Sequence, residues 1–322
     1  MPVHSSSDYR PPFPFVNCHM QTIFPNLFRR VGGVSYKRRR LTTPDGDFLD
    51  LDFSSVRAQR IAIVVHGLEG NSYRPYVLGM VRALNRAGWD AAAINLRGCS
   101  GEPNRNLRFY HSGDSGDLRS VVKHLLGTHA YRRIDLIGFS LGGNIVLKYL
   151  GEEAGKVNPA MAAAVVFSTP CDLRSSAMQM GLPSNRLYMV RFLKLLHGKI
   201  RQKAWQFPGR IDDNGYQTIR TFKEFDDRYA PVHGFANAED YYEKASSKPF
   251  LQRIAIPVLV IDAADDPFLP RSCYPVAEAR DNPLLYLEIP KHGGHVGFVS
   301  FRTGGVYWSE SRAVEFLTEH AL

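Results

Sequence analysis

The sequence predicts an α/β fold: a mostly parallel, twisted sheet with helices on both faces and a helical cap insertion. Short runs of β-branched and apolar residues alternate with segments of helical periodicity, which is typical of parallel strands joined by helices. One connection between two such runs is about ninety residues long, against the roughly 2 to 6 residues usual in such sheets. No internal repeat of roughly 20 to 50 residues occurs, so a solenoid or propeller is not indicated.

The first two predicted strands form a hairpin. Residues 37–41 and 48–53 are extended runs that flank the turn sequence Pro44-Asp45-Gly46, so we expect them to pair antiparallel at an edge of the sheet. The remaining strands are predicted at residues 61–65, 90–94, 134–137, 162–167, 258–261 and 284–289. Helical periodicity is clearest at residues 76–87 and 144–150, between these strands.

The long connection is interpreted as a cap inserted into a single domain that spans residues 1–322. The cap is assigned to residues 172–250, because an insertion at the carboxyl end of a parallel strand lies where such sheets bind ligands. Residues 186–200 predict an apolar, basic helix within it. The alternative is that these helices only thicken the fold. Residues 1–35, rich in proline and aromatic residues, are interpreted as an arm packed on the core.

Composition places the chain among ordinary globular proteins. Of its 322 residues, 44% are hydrophobic and 22% are charged, which excludes a disordered or low-complexity protein. The formal net charge is +9, from 40 Lys and Arg against 31 Asp and Glu. These basic residues are spread along the chain, so we interpret them as a solvated surface and expect no nucleic-acid partner.

The cysteines and the amino-terminal sequence indicate a cytoplasmic protein. Cys18, Cys99, Cys171 and Cys273 lie far apart and form no CxxC pair, so neither structural zinc nor a disulfide framework is expected. The sequence does not begin like a secretory signal, and no run approaches the ~20 apolar residues of a membrane span. We therefore expect a soluble protein, attached at most to the face of a membrane.

Ser140 is the candidate nucleophile. It is the central residue of Gly138-Phe139-Ser140-Leu141-Gly142, which follows a predicted strand and opens a predicted helix. A serine at such a junction sits on a sharp turn that closes only when the residues two before and two after are small. The amide groups at the start of the helix also favour negative charge there. This pattern indicates nucleophilic catalysis.

A serine hydroxyl needs a base and a group that orients the base. In this topology the acid follows a late strand and the histidine comes last, so Asp265 and Asp266, after the strand at 258–261, both qualify. Among the three histidines beyond them, His295 is preferred over His292 because glycines precede it in a loop. His320 lies near the end of a predicted terminal helix. The His-x-x-His spacing lacks a helix, so neither a metal nor another cofactor is predicted.

Backbone amides are expected to stabilise the oxyanion formed when Ser140 attacks a carbonyl group. One donor should be the amide of Leu141, which follows the nucleophile, and the other the amide of Leu68 in the loop after the first parallel strand. His66, which begins that loop, is expected to brace it.

Taken together, these motifs resemble the α/β-hydrolase fold, and the longer motifs resemble the YheT-like family of esterases. That family includes medium-chain esterases and phospholipase-like members of animals and yeast. The family-like motifs are HGLEG at His66, NLRGCSGEPN at Asn95, FYHSGDSGD at Phe109, GFSLGGN at Gly138, DDPFLP at Asp265 and GGHVGF at Gly293. Two others, NCHMQTIFP at Asn17 and GFANAEDYY at Gly234, extend the likeness to the arm and the cap.

Carried onto this sequence, the resemblance implies Ser140 as nucleophile, His295 as base and Asp266 as orienting acid. Asp266 is chosen over Asp265 because it stands immediately before the proline of the motif. The implied activity is hydrolysis of short- to medium-chain acyl esters through an acyl-enzyme, with a small-molecule substrate.

Other functions remain open from the sequence. An acyltransferase, a thioesterase and a lipase or phospholipase would use the same three residues, whereas a non-catalytic binding module would be expected to have lost one of them. The arginine-rich segment 95–117 also has two interpretations: it binds an anionic part of the substrate, or it braces the active-site loops. The oligomeric state is not predicted.

Overall fold

The computed structural model describes residues 3–4, 7–301 and 303–320. Within these residues, the predicted α/β architecture is present as a single sheet of nine strands. In chain order, the strands are β1 (Val3–His4), β2 (Lys37–Thr42), β3 (Phe48–Ser54), β4 (Arg60–Val65), β5 (Asp90–Asn95), β6 (Arg133–Phe139), β7 (Met161–Phe167), β8 (Val258–Ile261) and β9 (Leu285–Glu288).

Helices surround the sheet. In chain order, the helices are α1 (Cys18–Phe28), α2 (Pro75–Arg86), α3 (Ser115–Gly127), α4 (Leu141–Glu152), α5 (Leu173–Met180), α6 (Arg186–Gln206), α7 (Phe222–Tyr229), α8 (Ala238–Ala245), α9 (Val276–Asp281) and α10 (Trp308–Glu319). Short 3₁₀ turns join several of them. In the described part of the chain, every helix is too short or too polar to span a lipid bilayer.

The strands are arranged in the order β1-β9-β8-β7-β6-β4-β5-β3-β2. Neighbours pair in parallel except for β2 with β3 and β3 with β5, which are antiparallel. The predicted hairpin therefore forms one edge. Its outer strand, β2, is basic and exposed, and Arg38 and Arg40 pair with Asp52 and Asp50 across the hairpin. Charges of this kind oppose pairing of the edge strand with another chain.

The two faces of the sheet are covered by different helices. Strands β4 to β7 are mainly apolar because both of their faces are buried. On one face they pack against α3, α4 and α9, and on the other against α2 and α10. Residues of the amino-terminal segment also join the core, since Tyr9 packs against Phe298 and Trp308.

Residues 168–257, between β7 and β8, contain α5 to α8 and are called the inserted segment below. Helix α6 runs six residues beyond the predicted end at residue 200. Its buried face forms an apolar cluster with α5 and α7. Two residues from outside the inserted segment, Phe109 and Phe268, belong to the same cluster, so the inserted segment packs against loops at the carboxyl ends of the strands.

Candidate active site

Ser140 lies at the sharp turn between β6 and α4. Its backbone has φ 52° and ψ −120°, an uncommon conformation for a residue other than glycine. Close packing explains the two flanking glycines. A Cβ atom at Gly138 would come within 2.6 Å of the Gly143 Cα atom, and one at Gly142 within 2.4 Å of the Val65 carbonyl oxygen. The predicted requirement for small residues therefore has a direct steric cause.

His295 lies between Ser140 and Asp266. Its Nε2 atom is 2.9 Å from the Ser140 hydroxyl oxygen, across 155 positions of sequence. Its Nδ1 atom is 2.9 Å from Oδ2 and 3.1 Å from Oδ1 of Asp266. The Asp266 side chain is fully buried. In the tautomer that satisfies all three groups, Nδ1–H donates to the carboxylate and Nε2 accepts from the serine hydroxyl.

The neighbouring pair, Asp265 and His292, has different partners. Asp265 Oδ2 lies 3.2 Å from Nδ1 of His292, and its Oδ1 accepts a 2.9 Å hydrogen bond from the Gly294 amide. Through these two contacts, Asp265 fixes the loop that carries His295. Burial raises the pKa of the Asp265 carboxyl above its ordinary value. His320 ends α10, where its ring packs against Phe316.

The amino-terminal segment supports the His295 loop, which the sequence interpretation missed. Thr22 Oγ1 accepts a 2.9 Å hydrogen bond from the His295 amide. Gln21, fully buried, accepts a 2.8 Å bond from the amide of Val299. From the other side, Ser168 accepts a 2.9 Å bond from the amide of Val296, whose φ is 59°. The motif NCHMQTIFP was noted as family-like, but its role in holding the loop has no local sequence signal.

Of the two predicted oxyanion donors, one directly follows Ser140 in the chain and the other belongs to a loop that approaches Ser140. Leu141 is the first residue of α4, so its amide has no acceptor within the helix. The loop that carries Leu68 approaches closely, since a Cβ atom at Gly67 would lie 3.1 Å from the Ser140 Cβ atom. For the Leu68 amide, the described residues provide no acceptor.

His66 braces this loop. Its Nδ1–H donates to the Gly67 carbonyl at 2.7 Å, and its Nε2 accepts from the Leu96 amide at 3.1 Å. Both ring nitrogens are therefore occupied. Complete burial lowers the pKa of His66 to about 4, which keeps the ring neutral at pH 7.

The arginine-rich segment 95–117 also braces the site. Arg97 is almost fully buried and pairs with Asp117 at 2.7 Å, Asp45 at 2.9 Å and Asp47 at 3.0 Å. These contacts tie the turn of the edge hairpin to α3. Arg108 pairs with Asp45 and with Asp114. The guanidinium groups of Arg97 and Arg108 are thus paired with carboxylates, which favours the bracing interpretation.

A cavity of about 240 Å³ opens at Ser140 and His295. Its walls are mainly apolar, and many come from the inserted segment. Residues of that segment on the wall include Leu173, Ala177, Met180, Tyr188, Phe192, Leu196, Phe222, Phe225 and Tyr229. One carboxyl group, that of Asp226, also lines the cavity and accepts a 2.7 Å hydrogen bond from the Tyr242 hydroxyl. Burial raises the pKa of Asp226 to about 7.

Among the residues that the structure describes, no cluster of three or more His, Cys, Asp or Glu side chains is arranged to hold a metal ion. The four cysteines are free thiols.

Comparison with known proteins identifies the family and the fold. Residues 63–301 match the family model described as the alpha/beta hydrolase fold. The chain is 38% identical to Escherichia coli YheT, to which esterase activity is ascribed, over 98% of this chain and 94% of that protein. It is 29% identical to human phospholipase ABHD3 over 87% of this chain and 70% of that protein. It is 31% identical to a monoacylglycerol lipase of Saccharomyces cerevisiae over 85% of this chain and 62% of that protein.

Solved structures show the same fold. The Pyrococcus furiosus esterase Pf2001 superimposes with a TM-score of 0.60 at 18% identity, covering 91% of this chain and 98% of that chain. Est1E from Butyrivibrio proteoclasticus gives a TM-score of 0.54 at 15% identity, covering 90% of this chain and 99% of that chain.

Proposed function

Because the chain belongs to the alpha/beta hydrolase family, and within it to the YheT-like proteins, we propose that it is a serine hydrolase that cleaves carboxylic esters. One observation carries the proposal. An unbroken chain of hydrogen-bond distances runs from the Ser140 hydroxyl through the His295 ring to the buried Asp266 carboxylate. The esterase, phospholipase and lipase names of the relatives agree with this reaction.

In the first half of the reaction, Ser140 Oγ attacks the ester carbonyl carbon while His295 Nε2 accepts the hydroxyl proton. Asp266 stabilises the imidazolium that forms. The amides of Leu141 and Leu68 donate to the oxyanion, a contribution of roughly 3 to 4 kcal/mol for each donor in comparable sites. His295 then returns the proton to the departing alcohol. The C–O bond of the ester breaks, and an acyl group remains on Ser140.

In the second half, water replaces the alcohol. His295 accepts a proton from the water as it attacks the acyl carbonyl, and the same amides stabilise the second oxyanion. Collapse of this intermediate breaks the bond to Ser140 and releases a carboxylic acid. His295 returns its proton to the Ser140 oxygen.

The cavity supports a small substrate with an acyl chain of short to medium length. Its walls are mainly apolar, and its volume of about 240 Å³ falls below the roughly 300 to 1,000 Å³ of pockets for drug-sized ligands. We assign residues 172–250 the role of a cap within a single domain, because side chains of this range line the cavity above Ser140.

The decisive experiment combines covalent labelling with turnover. The purified chain should react with a fluorophosphonate probe and should hydrolyse p-nitrophenyl acetate and butyrate faster than the hexadecanoate ester. Ser140→Ala should abolish both labelling and turnover without loss of folding. Ser120→Ala, on the exposed side of α3, serves as the matched control and should retain both. Labelling or turnover that persists in Ser140→Ala would overturn the proposal.

A further inference from the structure

The mouth of the cavity lies between α1 and α6. Ile23 and Asn26 of α1, and Arg191 and Leu195 of α6, line the cavity and are also exposed to solvent. The two helices meet beside this mouth, where His19 Nδ1 lies 3.0 Å from the Tyr188 hydroxyl. A substrate that enters between the helices therefore passes their solvent-facing sides first.

Large apolar side chains point outward around this mouth. On α6, Leu187 is 84% exposed and Val190 is 58% exposed, and on α1 Leu27 is 49% exposed. Helical spacing places Leu187, Arg191 and Leu195 on one line that ends at the mouth. Exposed apolar side chains are ordinary when they are scattered, but a group of them beside a binding cavity marks a surface that meets another apolar phase. The outward apolar set is Met20, Ile23, Leu27, Leu187, Val190 and Leu195.

The charged side chains of these two helices have a single sign. Neither α1 nor α6 contains an Asp or Glu residue. On α6, Arg186, Arg191 and Lys194 are exposed, and within the described residues no carboxylate forms an ion pair with any of them. Unpaired cations interspersed with outward apolar side chains are the combination that binds an anionic lipid surface.

The opposite side of α6 is buried against the rest of the protein. Met189, Leu193, Leu196 and Ile200 are buried in the apolar cluster of the inserted segment. The exposed residues therefore do not result from a helix that has lost its packing partner. A second copy of this chain is also a poor occupant, because it would bring the same uncompensated cations against one another.

We propose that the outward apolar set, together with Arg186, Arg191 and Lys194, is a docking surface for anionic phospholipid membranes. The apolar side chains enter the boundary between headgroups and acyl chains, and the cations contact lipid phosphates. Docking places the cavity mouth against the lipid, so an amphiphilic ester reaches Ser140 without crossing bulk water. Membrane binding is inferred from the exposed residues alone, whereas delivery of an ester to Ser140 rests on the proposed function.

The test is cosedimentation of the full chain with vesicles. We expect it to bind vesicles of phosphatidylcholine with 30% phosphatidylglycerol, to bind pure phosphatidylcholine at least roughly tenfold more weakly, and to lose affinity as salt rises. The variant Arg186→Glu/Lys194→Glu should lower binding by at least roughly tenfold. Leu187→Ser/Val190→Ser should also lower it, without abolishing its salt dependence.

Arg132→Glu/Lys156→Glu is the matched control. It makes the same change in net charge at exposed positions that precede β6 and β7, at the opposite ends of the strands from the cavity. Its vesicle binding should stay within roughly twofold of the parent. Neither the control nor the surface variants alter a residue that lines the cavity, so their thermal unfolding and their turnover of p-nitrophenyl butyrate should match the parent.

Three results would overturn the proposed docking surface. In the first, the chain does not bind the anionic vesicles at all, and in the second, the control variant loses as much vesicle binding as the surface variants. The third result is that the chain forms a dimer through this face and does not bind membranes. Ser140→Ala separates this proposal from the proposed function, because it should bind vesicles as the parent does. If the unmodified chain binds vesicles but hydrolyses no ester, only the proposed hydrolase function is wrong. If it hydrolyses esters but does not bind vesicles, only the proposed docking surface is wrong.

Discussion

The hydroxyl of Tyr110 holds both the backbone and the side chain of Glu69. It accepts a 2.8 Å hydrogen bond from the Glu69 amide and donates one of 2.7 Å to the Glu69 carboxylate. Glu69 has φ 51° and directly follows Leu68, whose amide is the proposed oxyanion donor. Lys199 of α6 approaches the same carboxylate at 3.5 Å. The loop that carries Leu68 is thus held jointly by segment 95–117 and by the inserted segment.

Tyr110→Phe should therefore impair turnover more than substrate binding. Loss of the hydroxyl releases a residue in a strained conformation and lets the Leu68 amide move from its position, so we expect kcat to fall by roughly tenfold with KM nearly unchanged. Steady-state kinetics with p-nitrophenyl butyrate measures this. Tyr131→Phe removes a hydroxyl that contacts Asp90 at 3.1 Å, away from the site, and should leave kcat unchanged. A rise in KM alone would contradict this role of Tyr110.

Asp266→Asn should be far more damaging than Asp265→Asn. An amide at position 266 favours the wrong tautomer of His295, and we expect kcat to fall by roughly 10³- to 10⁴-fold, as in other serine hydrolases. Asp265 contacts His292 and the Gly294 amide, so Asp265→Asn should reduce kcat less than roughly tenfold. The two variants should be compared at saturating substrate. Equal losses would show that the two carboxylates share the orienting role.

Local patterns in the sequence predicted the framework of the fold, because a buried strand and a glycine-flanked turn each need particular residues close together in the chain. The strand ends agree with the structure to within a few residues. The two-residue strand β1 is too short to produce a pattern. The contacts of Thr22 and Gln21 were missed because they join segments more than 270 positions apart, and nothing local at either end encodes them.

Within the site, the two adjacent carboxylates also show that local sequence patterns do not reveal side-chain contacts. Asp265 and Asp266 both follow β8, and spacing alone left both as candidates. Only the resemblance chose between them. In the structure, the difference is the direction each side chain takes from one tight turn, toward His292 or toward His295.

Thr22→Val should weaken both the fold and turnover. The substitution keeps the shape of the side chain but removes the acceptor for the His295 amide, and an unpaired buried amide costs roughly 1 to 3 kcal/mol. We expect a lower melting temperature and a lower kcat, because the His295 loop is less fixed. Thr22→Ser keeps the hydroxyl and should recover most of both losses. If the serine variant behaved like the valine variant, packing of the methyl group and not the hydrogen bond would be responsible.

Ala177→Phe should shorten the acyl chain that the site accepts. Ala177 lies on α5 and lines the cavity, so a phenyl group there occupies space that a longer chain would use. We expect kcat/KM for the octanoate ester to fall at least roughly tenfold relative to the acetate ester. Ala130→Phe, at an exposed position outside the cavity, is the control and should keep the parent profile. An unaltered profile for Ala177→Phe would place the acyl chain elsewhere.

Asp226 should make the stability of the protein depend on pH. Burial raises the pKa of this carboxyl from 3.8 to about 7 in the folded chain. Between about pH 4 and pH 7, the folded state therefore keeps a proton that the unfolded state has lost, and stability falls as pH rises through this window. Below it both states are protonated and the contribution is fully present. Above it both states are ionised, and the folded state bears the whole cost of a poorly solvated charge.

Asp226→Asn removes this titration while its amide oxygen can still accept from the Tyr242 hydroxyl. We expect the variant to exceed the parent in melting temperature by more at pH 8 than at pH 5, because the parent loses stability throughout the window up to about pH 7 whereas the amide does not titrate. Other buried carboxyl groups, such as Asp117 with a pKa near 6, titrate in both proteins and cancel in the difference. Asp227→Asn changes the adjacent exposed carboxylate, which pairs with Lys223. Its charge adds less than burial to the raised pKa of Asp226, so this variant should change the pH dependence less than Asp226→Asn does. A difference between Asp226→Asn and the parent that did not grow from pH 5 to pH 8 would show that the Asp226 carboxyl is already ionised at the lower pH.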